Sequence, residues 1–129
     1  MTTPALTLYG IPNCDTVQRA RAWLAERGLA ARFHDFKKQG VPPAVLDHWL
    51  QAAGWQTLIN RQGQTWRKLA PADQAAVVDA ASARALALVQ PSVIKRPVVD
   101  WPGGGVTVGL QALIARAEAG GEAGGEAGE

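Results

Sequence analysis

Leu6-Thr7-Leu8-Tyr9-Gly10-Ile11-Pro12-Asn13-Cys14-Asp15-Thr16 is the stretch whose reading decides the fold. Leu6, Leu8 and Tyr9 form a short apolar run that suits a buried strand over residues 5–9. Gly10 and Pro12 break the run, and Asn13 has the chemistry of a helix N-cap. Val17, Ala20 and Leu24 follow at helical spacing, which predicts a helix over about 14–27. The single cysteine thus stands where a strand gives way to a helix. A thiol there faces unpaired backbone N–H groups and the positive end of a helix dipole, and both favour a thiolate.

Working outward, Gly28 stops the helix, and residues 31–36 read as a second strand. Strand, helix and strand at this length imply a parallel pair with a right-handed crossover. Lys37 to Gly40 read as a polar exit. The pattern then changes to helix over about 41–90. Pro42 and Pro43 suit a helix entry, with Val45, Leu46, Trp49, Leu50 and Ala53 on one face. Leu58 and Ile59 read as buried, residues 60–63 as a turn, and 65–69 as a short helical piece. Residues 71–89 are Ala-rich and helical, with a break expected near Ser82.

Residues 93–99 run into a third strand with Pro97 near its start, and Trp101 to Gly105 form a turn into a fourth strand over 106–110. A last helix is expected over 111–119, with Leu113, Ile114 and Ala117 inward. The Gly-Gly-Glu-Ala tail, residues 120–129, has little to bury and is expected to be disordered. The order is β-α-β, a helical insert, then β-β-α. It predicts one α/β domain over 1–119, with a thioredoxin-like fold and a mixed four-stranded sheet. Such a fold brings the loop after the first strand to the start of the third, and so Cys14 to Arg96 and Pro97.

Composition narrows the function classes. The 129 residues are 47% hydrophobic and 19% charged, enough for one domain with a real core. The net charge is +2, and because the tail carries three acids and no base, the body is more basic than that figure. The basic residues are scattered, which suits a small anionic ligand and argues against direct nucleic-acid binding. One cysteine makes no internal disulfide, no metal-ligand spacing joins His34 to His48, and no run reaches membrane-spanning length. A reducing cytoplasm is the expected compartment.

A lone cysteine is commonly a small buried hydrophobe. Cys14 instead sits in a Pro-Asn turn entering a helix, which favours a reactive role. Val17 occupies the place of a second thiol in a Cys-x-x-Cys motif, so an outside thiol must resolve any oxidised form. Arg96, held against Pro97 and preceded by Lys95, is either a solvated strand-end arginine or a fork for an oxyanion or carboxylate. Asp15 and Thr16 read as capping residues, with Thr16 also placed to bond a thiolate. His34 reads as a partnered structural histidine and Trp66 as core or lid.

Taken together, residues 8–16, Thr65-Trp66-Arg67-Lys68-Leu69 and Ile94-Lys95-Arg96-Pro97 resemble the arsenate reductase family that uses glutathione and glutaredoxin, and in particular its YffB branch, which is related to the Spx regulators. The likeness spans about residues 5–115. It implies Cys14 as nucleophile, no bound cofactor and no metal, glutathione as co-substrate with glutaredoxin as partner, and a small oxyanion or thiol as substrate. It also implies three arginines around an oxyanion: Arg96 matches one, Arg61 a second, and the third is missing from Val106 to Leu110. The expected anion-binding set is Arg96, Arg61, Lys95, Asn13, Thr16 and Pro97. The rival readings are an Spx-like regulator that binds the RNA polymerase alpha subunit, which Val17 disfavours, and a glutathione-binding module without chemistry.

Overall fold

The computed structural model describes residues 6–127, with side chains over residues 6–119. The strands are β1 (Leu6–Gly10), β2 (Ala31–Asp35), β3 (Val98–Asp100) and β4 (Val106–Val108). They form one sheet in the order β2-β1-β3-β4. β1 pairs parallel with β2, from Leu6 opposite Ala31 to Gly10 opposite Asp35. β1 pairs antiparallel with β3, and β3 with β4. The sheet is therefore mixed, as the element order requires, and the fold is thioredoxin-like.

Helix α1 (Asp15–Glu26) crosses from β1 to β2. A short α2 (Phe36–Gln39) follows β2, then α3 (Pro43–Ala53), α4 (Trp55–Leu58), α5 (Gln64–Arg67), α6 (Pro71–Ala75) and α7 (Ala80–Val89) lead to a 3-10 turn over Pro91–Val93. Helix α8 (Leu110–Ala127) closes the described chain. Three expectations shift. Residues 37–39 are helical rather than a polar exit, because Asp35 accepts from the backbone N–H of Lys37 and Lys38 and caps α2. The break in the Ala-rich stretch falls at 76–79, not at Ser82, because Asp79 caps α7 and Ser82 is its partner in a capping box. The α8 backbone is helical through Ala127, past the expected end at 119, although Gly120, Gly121, Gly124 and Gly125 are poor helix formers. Residues 128–129 and the side chains of 120–127 lie outside the described set.

β1 is one of the two interior strands, and its alternation feeds two cores. Leu6 and Leu8 pack with Val17, Ala20, Leu24, Val99 and Leu113 on the α1–α8 face. Tyr9 packs with Phe36, Leu46, Trp49, Leu58, Val98 and Val108 on the face covered by the insert. The period of two in a strand separates these sets. Tyr9 stacks edge-on to Trp49 at 4.7 Å and lies 4.8 Å from the His34 ring. His34 Nε2 meets Gly40 O at 2.8 Å, so it is the partnered histidine expected. Trp49 Nε1 reaches Asp100 Oδ2 at 3.5 Å.

Burial raises the Tyr9 phenol above 10.0, and the carboxylate of Asp100 adds to the shift. A folded value above the unfolded one means stability that is whole below pH 10 and is lost as pH rises through the folded value. Tyr9 is the only tyrosine in the chain. Its tyrosinate absorbance in the native protein is therefore expected to appear at higher pH than in the denatured protein.

Among the described glycines, Gly10 leaves the least room for a side chain. A Cβ there would lie 2.7 Å from Val17 Cγ2 and 3.3 Å from Cγ1. Val17 is fully buried and β-branched, so it has no easy rotation away. Gly10→Ala is expected to cost about 1–3 kcal/mol in chemical denaturation. In combination with Val17→Ala the two costs should fall short of additive, because the smaller side chain removes the clash.

Candidate active site around Cys14

The site forms at the carboxyl edge of the parallel pair. After Gly10 the chain turns through Ile11, Pro12 and Asn13, and Gln18 Nε2 donates to Pro12 O at 3.0 Å to brace the turn. Cys14, not Asn13, is the N-cap of α1, with extended φ −101° and ψ 125°. The reason is that Pro12 and Asn13 are consumed by the turn: the Cys14 N–H donates to Ile11 O at 3.3 Å. The first helical bond then runs from Gln18 N–H to Cys14 O at 2.9 Å. The thiol side chain makes no capping bond and is half-buried. It touches both apolar cores at once.

A solvent-open cavity of about 350 Å³ holds the thiol. Ile11, Asn13 and Cys14 form one wall, Asn60, Gly63, Gln64 and Thr65 of the insert another, and Ser92, Arg96 and Lys37 the rest. The insert is brought here by an antiparallel bridge between Ile59 and Ile94. Asn60 N–H donates to Val93 O and Lys95 N–H to Leu58 O, each at 2.8 Å. Arg96 is half-buried, and its Nη1 donates to Ser92 O at 3.0 Å, which holds the guanidinium at the cavity. The Arg96–Pro97 peptide is cis.

The expected set is only partly assembled. Arg96 and Asn13 line the thiol cavity. Arg61 and Lys95 do not: they line a neighbouring cavity of about 540 Å³ with Gln56, Thr57, Asn60 and Gln62. The extended backbone around Ile94 explains the split, because consecutive side chains there alternate faces, sending Lys95 away from Arg96. Arg61 is exposed in the turn and lies over the Trp55 ring at 5.7 Å. The Lys95 stem packs against Gly109, whose φ of +92° and missing Cβ leave it room. Gly109 falls in the segment that lacks the third arginine. Thr16 is half-buried in the first turn of α1, and Pro97 is buried, neither of them lining the thiol cavity. Trp66 packs against the insert core.

Lys37 is the residue that sequence reasoning missed. Gly10 and Asp35 are partners in the β1–β2 register, so the segments leaving the two strands meet at one edge. The element order already implies the parallel pair, and ligands gather at such edges, so the signal is present in the sequence. Among the described residues no three His, Cys, Asp or Glu cluster as a metal site.

This arrangement, with a single half-buried thiol at the N-cap position of the first helix of a thioredoxin-like fold and an arginine held at the same cavity, defines a thiol-centred protein with a helical insert. Residues 9–113 match the ArsC family, and the chain belongs to it. An uncharacterized protein of Haemophilus influenzae is 34% identical over 94 residues, 73% of this chain and 82% of that protein. The solved structure of a YffB protein is 45% identical, covering 89% of this chain and 98% of its own at a TM-score of 0.81. That of an arsenate reductase (ArsC) related protein from Brucella melitensis is 46% identical, covering 84% and 89% at a TM-score of 0.69.

Because Arg96 and Lys37 share the cavity with the thiol, an anionic alkylating reagent should gain on a neutral one at Cys14. The ratio of iodoacetate to iodoacetamide rates is expected to fall about two- to fivefold in Arg96→Ala and in Lys37→Ala, and in raised salt. Arg61→Ala should move it less, because Arg61 opens onto the other cavity.

Proposed function

We propose that this chain is a small cytoplasmic thiol-dependent reductase of the ArsC type, with Cys14 as its nucleophile and glutathione as co-substrate. One observation carries the reading: the only thiol of the chain stands at the N-cap position of α1 and faces an open cavity that also holds a fixed guanidinium and an ammonium. The names of the related proteins, including the arsenate reductase related protein of Brucella melitensis, support the same class of chemistry. No helix among the described residues is long and apolar enough to cross a membrane.

Cys14 Sγ, as thiolate, attacks one sulfur of a disulfide substrate. That S–S bond breaks, one half leaves as a thiolate and takes a proton from water, and the other half stays on Cys14 as a mixed disulfide. A glutathione thiolate attacks the substrate-derived sulfur and frees Cys14. A second glutathione releases the remaining substrate thiol and ends as glutathione disulfide, so two glutathiones supply the two electrons. With an oxyanion, Cys14 displaces one oxygen as water. Glutathione then attacks Cys14 Sγ, passes the electron pair to the central atom and leaves Cys14 glutathionylated for a second thiol, glutathione or glutaredoxin, to reduce. Arg96 holds the anionic partner in either course. With Arg61 facing another cavity and no third arginine, a disulfide or a singly held anion suits the site better than arsenate. Val17, buried against Gly10, fills the place of a second switch thiol, which weighs against a regulator that binds the RNA polymerase alpha subunit.

The test is glutathione-dependent reduction of bis(2-hydroxyethyl) disulfide. Cys14→Ser should bring the rate to background. Arg96→Ala should lower kcat/KM for glutathione about tenfold, roughly 1.4 kcal/mol, because the guanidinium no longer stabilises the attacking thiolate in the cavity of Cys14. An unchanged rate in Cys14→Ser would leave only a binding module.

A further inference from the structure

The thiol cavity shares wall residues with two others, through different segments of the chain. It shares Ile11, Asn13 and Lys37 with a cavity of about 320 Å³ that also holds Asp35 and Lys38. It shares Asn60 with the cavity that holds Arg61 and Lys95. Lys37, Lys38, Arg61 and Lys95 are all exposed, and none makes an ion pair among the described residues. The two neighbouring cavities differ in sign pattern. The first combines two ammonium groups with the Asp35 carboxylate, whose Oδ1 accepts from the Lys37 and Lys38 N–H groups and whose Oδ2 makes no hydrogen bond among the described residues. The second has two cations and neutral amides, with no acid in its wall.

Glutathione has the matching layout. Its thiol is central, its γ-glutamyl end carries a carboxylate and an ammonium, and its glycine end carries a carboxylate alone. We propose, resting on the glutathione reading above, that the tripeptide lies across Cys14 with its γ-glutamyl end at Asp35, Lys37 and Lys38 and its glycine carboxylate at Arg61 and Lys95. Asp35 Oδ2 takes the ammonium, and the lysines take the carboxylate beside it. The opposite orientation sets the zwitterionic end against two cations with no acid and the bare carboxylate beside Asp35, which electrostatic complementarity disfavours. Arg61 and Lys95 are then specificity residues for the co-substrate rather than a clamp on the reacting centre.

The experiment follows Cys14 taking up one half of a disulfide, the other half leaving as thiolate, by mass spectrometry of the intact protein. The probes are glutathione disulfide, γ-glutamylcysteine disulfide, which lacks the glycine carboxylate, and cysteinylglycine disulfide, which lacks the γ-glutamyl end. Replacing Lys37 and Lys38 by Ala should slow glutathione disulfide about three- to tenfold, and should slow γ-glutamylcysteine disulfide more than cysteinylglycine disulfide. Replacing Arg61 and Lys95 by Ala should show the reverse preference. Equal losses for both truncated probes, or the preferences exchanged, would overturn the orientation while leaving Cys14 chemistry in place. If Cys14 reacts with bis(2-hydroxyethyl) disulfide yet takes nothing from glutathione disulfide, the glutathione reading fails and the orientation with it.

Discussion

The antiparallel contact between Ile59 and Ile94 is the constraint on which the site depends. Two backbone hydrogen bonds and two buried side chains tie the insert to the segment that leads into β3. Each bond contributes about 1 kcal/mol net, and burial of the two isoleucines contributes more. Without it, Asn60, Gly63, Gln64 and Thr65 would have no fixed relation to Cys14. With it, residues more than forty positions apart line one cavity, and Arg96 is carried to the thiol by the same short stretch.

Cys14 sits where three demands meet. Its backbone must be extended to cap α1, its side chain must touch both apolar cores, and its sulfur must face solvent. Gly10 makes this geometry reachable, because β1 runs straight onto Val17 with no Cβ between them. The close packing of strand on helix leaves the turn of Ile11, Pro12 and Asn13 to carry the thiol out to the sheet edge. Rigidity below and openness above are useful to a nucleophile, whose position is held by the core while its partner enters from water.

The electrostatics have their origin in the same layout. The described ion pairs, Arg19 with Asp15 and Arg84 with Asp47, involve none of the cations that line the three cavities. Arg96 is the exception to free solvation, bound to Ser92 O and so held in place. The basic excess of the body is therefore not spread evenly in effect. A part of it is collected along one edge, on elements as separate in sequence as α2, the turn before α5 and the approach to β3.

Much of this was legible in the chain itself. The apolar run, the turn residues and the helical spacing around Cys14 were enough for the strand–loop–helix unit, since these are local preferences of backbone and side chain. The order of elements implied the mixed sheet, and with it the approach of Arg96 to Cys14. Tertiary structure alone decided which cations share the thiol cavity. Lys95 and Arg61 are near Arg96 in sequence or by motif, yet the alternation of an extended backbone turns Lys95 away and an exposed turn carries Arg61 over Trp55. Lys37 enters from an unsuspected place because strand register, a long-range property, sets Asp35 beside Gly10. Side-chain direction depends on pairing between distant segments, and sequence spacing carries no direct record of it.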